Sequence, residues 1–255
     1  MKNIFKMAII TGASSGIGLS FAKILAETGT NLVLVSRKKE ILMSIKDELE
    51  IKYHIKVNVF ACDLSKPENI NYLINILDDN SIYPDLLINN AGAGVHGNFS
   101  FTDLTKEIEI INLNTIAVTM LSKLIICRLN EKNKLNIINV SSTLAFRKSS
   151  GWAVYAATKS FVLSLSKSLE FEYRGTKINV SILCPGKTHT NFDSAAGVSY
   201  QNESGKNSPD FVAKYALKKL FKGKHIIIPG ILNKMKYIFF KLMPEFVSDL
   251  IIKTR

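Results

Sequence analysis

The sequence predicts an α/β chain built on a doubly wound, seven-stranded parallel sheet with helices on both faces. Three observations predict it. Seven short apolar runs alternate with amphipathic helical stretches, the order in which parallel strands are joined by crossover helices. The first run leads through a glycine-rich turn into a helix. Several runs end in small or polar residues, and open parallel sheets bind ligands at those carboxyl ends.

The first strand, M-A-I-I-T at 7–11, is short and continuously apolar, as a strand covered on both faces should be. After Thr11 come Gly12, Ser14, Ser15, Gly16, Ile17 and Gly18, opening an amphipathic helix that Gly29 closes. Glycines let the backbone approach a phosphate, and a helix N-terminus stabilises its charge, so this turn is an expected pyrophosphate site. The second strand, 31–36, completes a βαβ unit of Rossmann-like character. It ends where such folds read the adenosine ribose. An acid there would chelate the ribose hydroxyls of NAD. This chain instead has Ser36, Arg37, Lys38 and Lys39, a hydroxyl and three cations that attract a 2′-phosphate, so NADPH/NADP+ is the expected cofactor. Cations are poorly placed at a helix start, which argues against a purely structural reason for them.

A helix over about 38–51 leads to a third strand ending in Asp63 and Leu64, an acceptor and an apolar residue fit to flank an adenine; a turn aspartate is the competing reading. After a helix over 67–79, the fourth strand ends in Asn89, Asn90, Ala91 and Gly92, where the chain can turn sharply beside a cofactor. A glycine-containing loop with His96, Phe99 and Phe101 follows. One long helix is expected over 104–129, with Asn112 and Asn114 among Ile, Leu and Met; buried amides need partners.

The fifth strand delivers Ser142, and the next helix carries Tyr155 and Lys159, four apart and on one face. A phenol beside an ammonium is a proton-transfer pair, since a neighbouring cation favours the phenolate; Ser142 can polarise the same oxygen. The sixth strand closes at Pro185-Gly186. From 187 to 208 the pattern dissolves into Thr, Ser, Asn and Gly, with Phe192 and Tyr200 large and apolar. Long loops in compact domains are usually functional, so this one reads as a substrate lid, with Phe211 just beyond it. A helix over 210–222 and a seventh strand over 225–229 complete the domain, taken as residues 1–230.

Residues 231–255 form a basic amphipathic extension: Ile231, Leu232, Met235, Ile238, Phe239 and Leu242 share one face, Lys234, Lys236 and Lys241 lie mostly off it, and Pro244 starts a second short helix. Such a helix can lie on an anionic membrane; otherwise its apolar face caps the domain or a subunit interface.

The chain has 255 residues, 47% apolar and 21% charged, the balance of a folded domain. Cys62, Cys127 and Cys184 have neither metal-ligand spacing nor a disulfide framework, fitting a reducing, cytoplasmic setting with no metal. The apolar run behind Lys2 and Lys6 is too short for a signal peptide, and no uninterrupted apolar stretch reaches bilayer length. The net charge of +12 comes without an aromatic-interleaved basic cluster, so no nucleic-acid partner is expected.

Together T-G-A-S-S-G-I-G at 11–18, N-N-A-G at 89–92, Ser142 and Y-A-A-T-K at 155–159 closely resemble the short-chain dehydrogenase/reductase family in its compact single-domain branch. Pro185 and Gly186 with Thr188 and Thr190 are similar to that family's run against the nicotinamide carboxamide and phosphates. The resemblance implies hydride transfer between NADPH and a carbonyl/alcohol substrate. Tyr155 would be the acid, Ser142 would hold the oxygen, and Lys159 would bind the nicotinamide ribose. It implies a relay asparagine, for which Asn114, eight residues before Ser122, is the better match and Asn112 the other candidate. It also implies a homodimer or homotetramer through the 104–129 and 152–174 helices. The candidate substrates are 3-oxoacyl thioesters, steroids, other lipid carbonyls and small ketones. A non-catalytic nucleotide-binding protein is the competing class.

Overall fold

The computed structural model describes residues 5–129, 133–198 and 205–242. Seven parallel strands form one sheet in the order β3-β2-β1-β4-β5-β6-β7, in agreement with the predicted fold class. They are β1 (Met7–Thr11), β2 (Asn31–Ser36), β3 (Val57–Ala61), β4 (Leu86–Asn89), β5 (Leu135–Val140), β6 (Ile178–Leu183) and β7 (Ile226–Ile227). The direction of winding reverses between β1 and β4, which opens a crevice at their carboxyl ends.

Helices α1 (Gly16–Glu27), α2 (Lys39–Tyr53) and α8 (Pro209–Leu220) cover one face, burying Phe21, Leu25, Leu42, Leu49 and Val212 against β1, β2 and β4. On the other face lie α3 (Pro67–Asp79), α4 (Leu104–Ile111), α5 (Ala117–Ile126) and α6 (Ala153–Glu172), with Leu73, Leu77, Leu121 and Ile125 in the core. The strands are thus apolar on both sides, as their continuous hydrophobic runs require. Local signals set the ends. Pro67 starts α3, Asp103 caps α4 by accepting from the Thr105 N–H at 2.8 Å, and Ser208 caps α8 by accepting from the Phe211 N–H at 3.1 Å.

Three segments differ from expectation. The helix expected over 104–129 is interrupted by a π turn, Asn112–Ile116, between α4 and α5, and it ends at Ile126. The seventh strand shrinks to two residues, because at the sheet's edge only Ile226 and Ile227 find partners on β6. The 187–208 loop is pinned at its base: the Asn207 N–H donates to Lys187 O and the His189 N–H to Asn207 O, both at 2.9 Å. It contains a helical turn, α7 (Phe192–Ala195), and α9 (Ile231–Leu242) follows the sheet. Tyr200 and the second tail helix expected from Pro244 lie outside the described residues.

A polar chain crosses the sheet interior. Asn89 Nδ2 donates to Asn139 Oδ1 at 2.8 Å and to Ser122 Oγ at 3.1 Å, and Asn139 Nδ2 donates to Ser166 Oγ at 2.9 Å. This ties β4, β5, α5 and α6 together in a place where water cannot substitute for a lost partner. Asn139→Ala is expected to cost about 2–3 kcal/mol and lower Tm by about 5–10 °C, because the buried Asn89 Nδ2 loses an acceptor and the buried Ser166 Oγ loses a donor. A thermal melt shifted by under about 2 °C would show that the chain does not support the fold.

Candidate active site

At the crevice, β1 and β4 are locked before any ligand is considered. Thr11 Oγ1 accepts from the N–H groups of Asn90 and Ala91, both at 2.9 Å, and donates to Ile88 O. Asn90 Nδ2 donates to Thr11 O at 2.9 Å and approaches Gly12 O at 3.3 Å. The turn between β1 and α1 runs through Gly12 at φ 66° and Gly16 at φ 56°, the left-handed region that side chains resist. A Cβ on Gly12 would come 2.9 Å from Ala91 Cα, and one on Gly16 would lie 2.8 Å from Thr190 Cγ2. One on Gly18 would run into the Gly12 carbonyl. Ser15 makes no side-chain capping bond to α1, which fits a first turn whose N–H groups take an external anion.

Gly12, Ser14, Ser15, Gly16 and Ile17 line a cavity of about 570 Å³ that runs along the strand ends. Thr11 and Gly18 act beneath its wall. Ser36, Arg37 and Lys38 line the cavity past β2, and Ser36 Oγ accepts from the Lys38 N–H at 3.2 Å. Past β3, Asp63 and the buried Leu64 join them. Burial pushes the Asp63 carboxyl up, but hydrogen bonds from Ser65 N–H and Oγ, with the charges of Arg37 and Lys66, outweigh it and hold it below the usual range. Those bonds also make Asp63 a turn residue, so both readings of it apply.

At the other end, Asn90, Ala91, Gly92, Pro185, Gly186, Thr188 and Thr190 line the wall, and Ser142, Tyr155 and Lys159 converge. Lys159 is 4% exposed, and its Nζ donates to Val140 O at 2.9 Å while lying 5.7 Å from the Tyr155 ring centroid. The expected lowering of the tyrosine is not what this arrangement gives. Burial pushes Tyr155 up to about 12, a rise that Ser142 opposes and Asp193 adds to, and burial pulls Lys159 down to about 8. Desolvation sets the direction of both shifts.

The π turn gives the two asparagines different surroundings. Asn114 is fully buried; its Oδ1 accepts from the Ala93 N–H at 3.1 Å, and its Nδ2 donates to Ala93 O at 2.9 Å and to Thr158 Oγ1 at 3.0 Å. A Cβ on Gly92 would lie 3.1 Å from Lys159 Nζ and 3.2 Å from Asn114 Oδ1, so lysine and amide meet over this glycine. Neither asparagine lines the cavity itself; Asn114 lies against Gly92, which does, while Asn112 is half-buried.

Beyond Tyr155 the wall is aromatic. Trp152, Tyr155 and Phe192 have ring centroids 5.1–6.1 Å apart. Gly94 makes room for them: a Cβ there would lie 2.9 Å from Phe192 and 3.0 Å from Trp152. Sequence reading missed Trp152, although its place one helical turn before Tyr155 was a usable signal. Of the aromatics assigned to the lid, Phe192 faces the cavity, while Phe211 sits on α8 against Tyr215, away from it. The His96 ring packs at a tilt on Trp152, centroids 5.1 Å apart, and Phe99 and Phe101 are exposed.

Lys159 also sets a pH dependence. Its pKa falls from 10.5 in the unfolded chain to about 8, so between those values the unfolded state binds more protons and this residue's contribution to stability rises with pH. Below about pH 8 the cost of burying the charge is fully present. Lys159→Met is therefore expected to melt several degrees above the unsubstituted chain at pH 7, with the gap closing as pH rises from 8 to 10.5. Parallel melting curves across that range would contradict the placement of a buried ammonium.

The family model for short chain dehydrogenases matches residues 6–199. Hydroxysteroid dehydrogenase-like protein 1 of Gallus gallus is 27% identical over 251 residues, 97% of this chain and 75% of that protein. The Homo sapiens protein named inactive hydroxysteroid dehydrogenase-like protein 1 is 26% identical over the same coverage. Among solved structures, a short-chain dehydrogenase from Sphingobium yanoikuyae in complex with NADPH is 28% identical, with a TM-score of 0.83 over 93% of this chain and 96% of that one. A bulky-bulky ketone specific alcohol dehydrogenase from Comamonas testosteroni is also 28% identical, with a TM-score of 0.79 over 96% of each chain. With the family model spanning most of the chain, this protein belongs to the short chain dehydrogenase family of oxidoreductases.

Proposed function

We propose that the chain is an NADPH-dependent reductase of bulky apolar ketones, working reversibly, with Tyr155 as the general acid. The observation that carries this reading is one cavity with a phosphate-type glycine turn and two cations at one end and Ser142, Tyr155 and Lys159 at the other. Thr11 to Gly18 would hold the pyrophosphate, and Ser36, Arg37 and Lys38 the 2′-phosphate. Asp63 and Leu64 would flank the adenine, and Asn90 to Gly92, Pro185, Gly186, Thr188 and Thr190 the nicotinamide half. NADPH, when bound, supplies the hydride that goes to the carbonyl carbon.

The remaining chemistry belongs to the chain. Ser142 Oγ and the Tyr155 hydroxyl hold the carbonyl oxygen, and as negative charge grows there Tyr155 gives up its proton. A phenol raised by burial is fully protonated at neutral pH and still a far stronger acid than the alcohol it forms, so the transfer runs downhill. Lys159, charged below about pH 8, stabilises the phenolate that remains and returns a proton to it. Asn114 uses one Oδ1 lone pair on Ala93, leaving the other for a relay water. Trp152 and Phe192 give the substrate end its apolar character, and the pinned 187–208 loop acts as its lid. The catalytic domain is residues 1–230. Exposed Leu104, Ile108 and Ile111 on α4 and Phe161 and Phe171 on α6 offer the apolar surface for a homodimer or homotetramer.

The second reading, a nucleotide-binding protein without turnover, is favoured by the human relative's name. Tyr155→Phe separates the two. It should lower kcat by about 10³-fold or more while NADPH binding, followed by fluorescence titration, stays within about threefold. Near-unchanged turnover would remove Tyr155 from the mechanism, and no turnover with any ketone in a panel followed by NADPH absorbance would favour the second reading. Cofactor choice has its own test. Arg37→Asp should lower kcat/KM with NADPH by about 10- to 100-fold and leave NADH less affected. Equal efficiencies with the two cofactors in the unsubstituted chain would contradict the assignment.

A further inference from the structure

Helix α9 is turned the opposite way from a helix that caps a core. It meets the domain through Asn233, Tyr237 and Phe240: Asn233 Nδ2 donates to Pro229 O at 2.8 Å, Tyr237 packs on Phe146 at 4.5 Å, and Arg147 lies over the Phe240 ring at 6.0 Å. At about 100° per residue these three share one side. The opposite side carries Ile231, Leu232, Met235 and Ile238, exposed by 70, 66, 60 and 53%, with Phe239 at 39%. Helical spacing sets Lys234 and Lys241 along one edge of that apolar stripe and Lys236 along the other. Lys219 of α8 joins the first edge, since it and Lys234 lie over the same Tyr215 ring at 5.3 and 5.2 Å.

The charge is local. From Phe211 to Pro244 the chain has eight lysines and no Asp or Glu, eight of its net +12. An apolar stripe with cationic edges is complementary to a surface whose interior is hydrocarbon and whose rim is anionic phosphate. A second copy fits worse. A two-fold pairing through this stripe would set lysine edge against lysine edge, with no acid in the segment to relieve them.

We infer that α9 docks this protein on an anionic lipid bilayer, Ile231, Leu232, Met235 and Ile238 entering the acyl boundary and the lysines binding lipid phosphates. The helix touches Arg147 and Gly186, both in the cavity wall, so docking brings the cavity to within about a helix diameter, ~10 Å, of the lipid.

The test is sedimentation of the full chain with vesicles of phosphatidylcholine alone or mixed with phosphatidylserine. Co-sedimentation is expected with the mixed vesicles, weakening as salt rises. Leu232→Asp with Ile238→Asp should abolish it without changing turnover of a water-soluble ketone. Lys234→Gln, Lys236→Gln and Lys241→Gln together should weaken it by about a hundredfold, about fivefold for each lysine. Equal sedimentation with and without phosphatidylserine, or binding untouched by either variant, overturns the inference. So does a mass by light scattering that halves in the Asp variant while the unsubstituted chain ignores vesicles, which would make the stripe a subunit interface. Sedimentation needs no turnover, so its outcome is independent of the ketone-reductase reading.

Discussion

Keeping the Lys159 ammonium out of water beside a buried phenol is the constraint on which the site depends. A fully buried cation with a backbone carbonyl as its hydrogen-bond partner is costly, and the cost appears as a pKa pulled down to about 8. The surroundings are shaped to hold it. Val140, the last residue of β5, offers its carbonyl to Lys159 Nζ, and Gly92 lacks the Cβ that would press on Nζ. Asn114 is brought to the same point because the π turn adds a residue to the helix and swings the amide onto the Ala93 backbone. Desolvation that weakens the fold here strengthens every charge interaction in the cavity, the usual bargain at a functional site.

Sheet topology makes one cavity from parts far apart in sequence. The loops after β1, β2 and β3 line the end with the glycine turn and the basic residues, and those after β4, β5 and β6 the end with Ser142, Tyr155 and Lys159. The Thr11 and Asn90 hydrogen bonds clamp the two halves where the winding reverses, each joining a side chain at one strand end to the backbone of the other. The buried chain through Asn89, Asn139 and Ser166 does the same one layer deeper, coupling β5 to the helix that carries Tyr155 and Lys159. The geometry of the Tyr155 and Lys159 pair thus rests on polar contacts inside the core.

Much of this was legible in the sequence because strand ends and glycines are local signals. The turn from Gly12 to Gly18, the basic end of β2 and the spacing of Tyr155 and Lys159 each follow from periodicity and residue chemistry, and the structure brings nearly all of them to one cavity. What was not legible depends on depth and direction. The rise of Tyr155 comes from burial, with Ser142 opposing it and Asp193 adding to it, and spacing along a helix carries no measure of burial. The π turn leaves no composition signal, and Asn139 reads as an ordinary polar residue in a strand until α6 is placed over it. In α9 the amphipathic pattern was plain, but a wheel of residues does not say which side meets the domain. The contacts of Asn233 and Tyr237 decide that.

The most direct test of the central claim, hydride delivery to a carbonyl beside Tyr155, is an isotope transfer. A bulky ketone reduced with NADPH carrying deuterium on one face of the nicotinamide C4, in ordinary water, should give an alcohol with deuterium on the carbinol carbon by NMR. The opposite C4 label should give none, since a cofactor held by the walls of one cavity presents a single face. Alcohol that takes its carbinol hydrogen from solvent, or from both labelled faces alike, would contradict the account.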